Sequence, residues 1–107
     1  MLNGMKISKA RKACFKIMHT ANDKSLYSDL GWNGPHQIMD AMSKAGLDFN
    51  LVEAKYFNED KAKIWRMKIN FINDKGVEKF FNADITAFCA GTVEYPWRQY
   101  DITITVF

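Results

Sequence analysis

The first third of the chain repeats its apolar residues on a helical period. Ala10, Ala13, Cys14, Ile17, Met18 and Ala21 follow i, i+3, i+4 and i+7 spacing and make one stripe. Ser8 precedes the stripe and predicts an N-cap, so a first helix is expected over residues 8–22. Lys9, Lys12 and Lys16 lie opposite. Phe15 falls off the stripe, on a row with Arg11 and His19, where it is either exposed or covered by another element. "NDKSLYSDLGWNG" is rich in turn formers, with room for one helical turn in "SLYSDLG". "GPHQIMDAMSKAG" predicts a second helix with Pro35 at its first position. Ile38, Ala41, Met42 and Ala45 form its stripe, and Gly46 is the left-handed residue past its end.

After Asp48 the period drops to 2. In "LVEAKYF", Val52, Ala54 and Tyr56 alternate with Glu53 and Lys55, and "NED" turns the chain. In "IWRMKINFI", Trp65, Met67, Ile69 and Phe71 alternate with Arg66, Lys68 and Asn70, the pattern of a half-buried strand. "NDKG" predicts a hairpin in which Gly76 takes the left-handed position of a type I turn plus bulge. "VEKFFNADITAFCA" is a third strand, with a bend expected near Asn82. "YDITITVF" is the last strand, with Tyr100, Ile102, Ile104 and Val106 on one side and Asp101, Thr103 and Thr105 on the other. Strands joined in sequence by short turns favour an antiparallel meander. The expected architecture is a single α+β domain over residues 1–107, two N-terminal helices packed on a four-stranded antiparallel sheet in the order α-α-β-β-β-β.

Composition adds bounds. A chain of 107 residues, 48% hydrophobic and 14% aromatic, can bury enough surface to offset its lost entropy, so a folded domain is expected. No apolar run approaches the roughly 20 residues that span a bilayer. "MLNGMKISKARK" has no apolar stretch to serve as a secretion signal, which points to a cytoplasmic location away from membranes. Met5 offers a second start, so residues 1–4 are expected to be dispensable. Cys14 and Cys89 match no metal-ligand spacing and fall on apolar faces. They read as reduced, buried thiols, a disulfide being the alternative for an exported chain.

The net charge of +3 conceals an asymmetry. Residues 1–22 carry Lys6, Lys9, Arg11, Lys12 and Lys16 and no acid, hence +5; the remainder carries ten basic and twelve acidic residues, hence −2. A local basic face implies an acidic partner, against the alternative of a merely solvated helix face.

Catalytic constellations are missing. "GWNG" at residues 31–34 lacks the strand context and basic residue of a phosphate loop. His19 and His36 have no cysteine or carboxylate at ligand spacing. Glu59 and Asp60 are adjacent, and adjacent side chains in a turn diverge. Cys14 and His19 are five apart, which does not bring both to one helix face. No serine sits in a nucleophile-elbow context. The expectation is a non-enzymatic protein without metal or cofactor.

Three surfaces are candidates for binding. "GTVEYPWRQYD" gathers Tyr95, Trp97 and Arg98, residue types that carry interface energy, around a stiffening proline. Tyr100 belongs instead to the inward pattern of the last strand. The basic first helix offers Arg11, Lys12, Phe15 and Lys16 with His19, cations for phosphates or acidic side chains and a ring that can stack a base. The third is a sheet edge, where Glu53 and Lys55 of the first strand read as protection against pairing.

Two resemblances bear on function. Residues 8–72 look like a winged-helix DNA-binding domain in "SKARKACFKIMHTAN", "LYSDLG", "PHQIMDAMSKAGL" and the hairpin "LVEAKYFNEDKAKIWRMKINF". That likeness implies that His36, Gln37, Asp40, Ser43 and Lys44 face DNA and that Lys61 and Lys63 sit at a wing tip. Residues 64–106, with "NDKG" and "ITAFCAGTVEYPWRQYDITITV", look like small accessory proteins of phages and prophages, a class that includes anti-CRISPR inhibitors of host defence. This implies a compact viral protein that occupies the surface of a host protein or ribonucleoprotein complex in the host cytoplasm. The leading expectation is therefore a small intracellular protein acting through protein–protein contacts, an inhibitor of a nucleic-acid-handling or defence complex. The alternatives are a nucleic-acid binder using the basic helix or a winged-helix mode, and an assembly subunit that oligomerises through exposed aromatics.

Overall fold

A computed structural model describes residues 1–25, 33–59, 61–89 and 100–107. Helices α1 (Ile7–Ser25) and α2 (Asn33–Lys44) precede strands β1 (Asp48–Phe57), β2 (Ala62–Ile72), β3 (Glu78–Cys89) and β4 (Tyr100–Val106). The strands form one antiparallel sheet in the order β1-β2-β3-β4. This is the α+β meander that the periodicities predict.

The stripes do what their spacing implies. Ala10, Cys14 and Met18 of α1, with Ile38 and Met42 of α2, are fully buried. They meet Trp65, Met67, Ile69 and Phe71 of β2 and Phe81, Ala83, Ile85 and Ala87 of β3 in one core. Ile102, Ile104 and Val106 of β4 close it from the side, half-buried, while Asp101, Thr103 and Thr105 face solvent. Gly46 ends the second helix at φ 79°, with its N–H bonded to the Ser43 carbonyl at 3.0 Å. In the β2–β3 hairpin Gly76 has φ 74° and donates to the Asn73 carbonyl at 3.1 Å. Asn73 Oδ1 also accepts from the N–H groups of Lys75 and Val77, each at 2.9 Å, so one side chain holds the turn.

Several boundaries differ from expectation. α1 starts at Ile7, and the Ala10 N–H bonds the Lys6 carbonyl at 2.9 Å, so Lys6 holds the capping position and Ser8 lies inside the helix. Pro35 is the third residue of α2, still in the turn whose N–H groups have no helical acceptor. The β2–β3 register runs through Asn82 unbroken, and the irregularity sits in β1, between Leu51 and Glu53.

The N-terminal residues are structural. Leu2 is 3% exposed and belongs to the core. Gly4 donates to the Ile72 carbonyl at 2.8 Å, the Ile72 N–H bonds Asn3 Oδ1 at 3.0 Å, and Met5 bridges to Asn73. Residues 1–4 are packed into the domain, which argues against the expectation that they are dispensable. They satisfy the backbone at the end of β2 and plug the core beneath it.

The first strand also departs from its reading. Val52, Ala54 and Tyr56 are exposed, because α1 lies on β4 and β3 and α2 on β3. The pairs Ala54–Trp65 and Tyr56–Lys63 put Ala54 and Tyr56 on the helix side, and Val52 falls at the bulge. Among the described residues no helix packs substantially over that side of β1.

Candidate binding surface

α1 buries one side against the sheet and α2 and presents the other to solvent. Lys9, Lys12, Phe15, Lys16 and His19 are exposed. Phe15 and His19 sit one turn apart and stack, with ring centroids 5.6 Å apart and planes 9° from parallel. The uncertainty over Phe15 is resolved in favour of exposure: 41% of it is accessible.

Arg11 is different from its basic neighbours. It is half-buried, and its Nε is sequestered without a hydrogen-bond partner among the described residues. Arg11, Lys12 and Phe15 line a depression of about 330 Å³ with Val106 of β4. The helix leans on β4, so a cation, an aromatic ring and the last strand share one concavity. A second, apolar groove of about 430 Å³ runs along the other flank of α1, lined by Ala13, Ile17, Ala21 and Ala41.

The four site residues expected on α1 thus lie on one helix, with Arg11, Lys12 and Phe15 around one depression and Lys16 beside the other groove. Tyr95, Trp97 and Arg98 lie outside the described residues. The connection that carries them leaves the sheet where Cys89 pairs with Tyr100.

Sequence reasoning missed an extension of the cationic surface. Lys6, Lys75 and Lys79 surround a depression of about 580 Å³ with Ile7, Asn73, Asp74 and Val77. The Met5–Asn73 bridge brings the β2–β3 turn to the start of α1, and no periodicity announces that pairing.

The residues implied by the winged-helix resemblance separate. His36, Gln37, Asp40, Ser43 and Lys44 are all exposed on α2, with Lys44 Nζ paired to Asp40 at 2.9 Å. Lys63 lies with its ammonium 4.8 Å from the ring centres of both Tyr56 and Trp65, on the helix side of the sheet. The hairpin treated as a wing is half of the four-stranded sheet, and its β2 strand runs through the core.

On the outer face of the sheet an ion-pair row crosses three strands. Arg66 contacts Glu53 Oε2 at 3.3 Å and Asp84 Oδ2 at 3.4 Å, and Lys55 meets Glu53 Oε1 at 3.1 Å. Glu53's carboxyl is held below its ordinary range, first by the hydrogen bond from Lys55 and further by the charges of Lys55 and Arg66. Lys68 Nζ lies 4.3 Å from the centre of the exposed Phe80 ring.

Cys14 offers no nucleophile. Burial pushes its thiol up to about 12, and Sγ donates to Met18 Sδ at 3.7 Å. Among the described residues no group of three or more His, Cys, Asp or Glu gathers as a metal site, and no helix is long and apolar enough to cross a membrane. No protein-family model, curated protein or solved structure matches this chain.

Proposed function

We propose that this chain is a non-enzymatic binding protein that works by occupying a partner's surface through the outward side of α1. The observation that carries the reading is the exposed Phe15–His19 stack, bounded by Lys12 and Lys16 and beside the depression that Arg11 lines. An exposed stacked aromatic among cations is costly to keep in water and well suited to a desolvated contact. Its charge calls for an acidic partner. The likeness of residues 64–106 to phage accessory inhibitors supports a host nucleic-acid-handling or defence complex in the cytoplasm as that partner. Tyr95, Trp97 and Arg98 would form a second contact on composition alone.

Capture from host lysate tests this with wild type, Phe15→Ala, Lys12→Glu/Lys16→Glu and Trp97→Ala. The first two variants are expected to lose a partner that wild type retains. Equal recovery of every partner would remove α1 from the account, and equal recovery with Trp97→Ala would remove the loop.

A second reading has its own support. Lys6, Lys75 and Lys79 extend the basic face beyond α1, as a nucleic-acid backbone would require. It predicts a low-salt mobility shift with duplex or single-stranded DNA, weakened by charge reversal at Lys12 and Lys16. No shift at low salt would sink it.

A further inference from the structure

We propose that β1 is the interface between two copies of this chain, which pair antiparallel about Ala54 into one continuous sheet. β1 is an edge strand of 10 residues, against 7 for the opposite edge, β4. Leu51 is 50% exposed, Val52 67%, Tyr56 48% and Phe57 41%. A long edge carrying exposed apolar side chains is a template for another strand. Two features would ordinarily guard it, the bulge between Leu51 and Glu53 and the lysine at position 55.

The strand's own sequence removes one of those guards. In an antiparallel two-fold register centred on Ala54, Glu53 of one copy faces Lys55 of the other, and Lys55 faces Glu53. Ala54 faces itself across the axis. The sides agree. Glu53 and Lys55 pair with Arg66 and Ile64 on the outer side, while Ala54 and Tyr56 pair with Trp65 and Lys63 on the helix side. Val52 stands at the bulge without a partner in β2, so the match rests on residues 53–55. Centring the pair on Glu53 or Lys55 instead would set like charges face to face. The carboxylate of Glu53 accepts from Lys55 and Arg66 of its own chain and keeps lone pairs for the second lysine. The bulge sets the limit of the match, because it leaves Leu51, opposite Met67, on the other side from Phe57, opposite Ala62.

A two-fold axis through Ala54 stands normal to the sheet, so both helix layers lie on the same side. Two α1 surfaces would then be presented together, which raises avidity for a repetitive or extended partner. The pairing does not depend on what α1 binds.

Sedimentation and light scattering over a concentration series, together with cross-linking, test the interface. Mass is expected to rise from 12.4 kDa towards twice that value in wild type and to remain at 12.4 kDa in Lys55→Glu, with its circular dichroism unchanged. In a Cys89→Ser background, Ala54→Cys is expected to form an intermolecular disulfide at least about tenfold faster than Glu53→Cys, because only position 54 faces its own copy. Three results would overturn the proposal: a wild-type mass fixed at 12.4 kDa at every concentration, a dimer unmoved by Lys55→Glu, or equal cross-linking at positions 53 and 54.

Discussion

Substituting Leu2 by alanine tests whether the first residues hold this domain together. Leu2 is 3% exposed, in the core with Leu47 and Phe71. The change removes about three methylene equivalents from the core at about 0.8 kcal/mol each, so about 2–3 kcal/mol is expected before any cavity is counted. A chain end relaxes more readily than a central strand, which keeps the cavity contribution small. Deleting residues 1–4 also removes the Gly4–Ile72 and Asn3–Ile72 hydrogen bonds, worth about 1 kcal/mol each, for a total near 4–5 kcal/mol. Domains of this size hold about 5–15 kcal/mol, so the deletion should leave the fold marginal. Urea unfolding followed by tryptophan fluorescence gives the midpoint and slope. Leu2→Ala is expected to lower the midpoint at constant slope and to lower Tm by about 10–20 °C. A change below about 0.5 kcal/mol in both variants would refute the anchoring role.

Four further perturbations have defined outcomes. In a Cys89→Ser background, Cys14 should react with a thiol reagent at pH 8 at least about a hundredfold more slowly in the folded protein than in urea, because burial keeps it protonated; equal rates would show an accessible thiolate. Since its folded value lies above the unfolded one, Cys14's contribution is complete below about pH 9 and is lost as pH climbs towards 12, so Cys14→Ala should flatten the alkaline fall in stability. Glu59 holds a left-handed backbone at φ 56°, and Glu59→Asn should stabilise the domain by about 0.5–1 kcal/mol in denaturant melts, with a destabilised variant contradicting the strain. Glu53's folded value is depressed, so its contribution is present above its unfolded value and fades as pH falls through the folded one; Lys55→Ala should move its NMR titration upward, and an unchanged midpoint would remove Lys55 as the chief cause.

The fold was legible where one face of an element is buried and the other is not. β2 is the clear case, since Trp65, Met67, Ile69 and Phe71 are buried and Arg66 is exposed. β1 was legible as a strand but not as an uncovered one. Alternation states which side chains share a side, and only the helix positions decide whether that side is roofed. Leu2 could not have been found, because a lone leucine between Met1 and Asn3 has no period. The site was legible on α1, where spacing alone set Phe15 off the stripe and beside Arg11 and His19. Lys75 and Lys79 join it only through a long-range bridge to Met5, a contact to which local pattern is blind.

That added charge sharpens the choice between an acidic protein and a nucleic acid as the partner of α1. The sequence concentrates positive charge in residues 1–22, and the fold sets Lys75 and Lys79 against Lys6, so two cationic depressions open along the first half of α1. A nucleic acid engaging both would release a counterion for each phosphate neutralised, and its affinity would fall steeply and log-linearly with salt. Losing Lys75 or Lys79 would then reduce the slope by about one per residue while Phe15→Ala left it unchanged. A protein partner seated on the Phe15–His19 stack reverses that ranking, because the desolvated aromatic carries the affinity and the rim charges mainly tune the association rate. Salt slope and aromatic truncation therefore divide the two readings by the chemistry of the contact alone, whichever molecule supplies it.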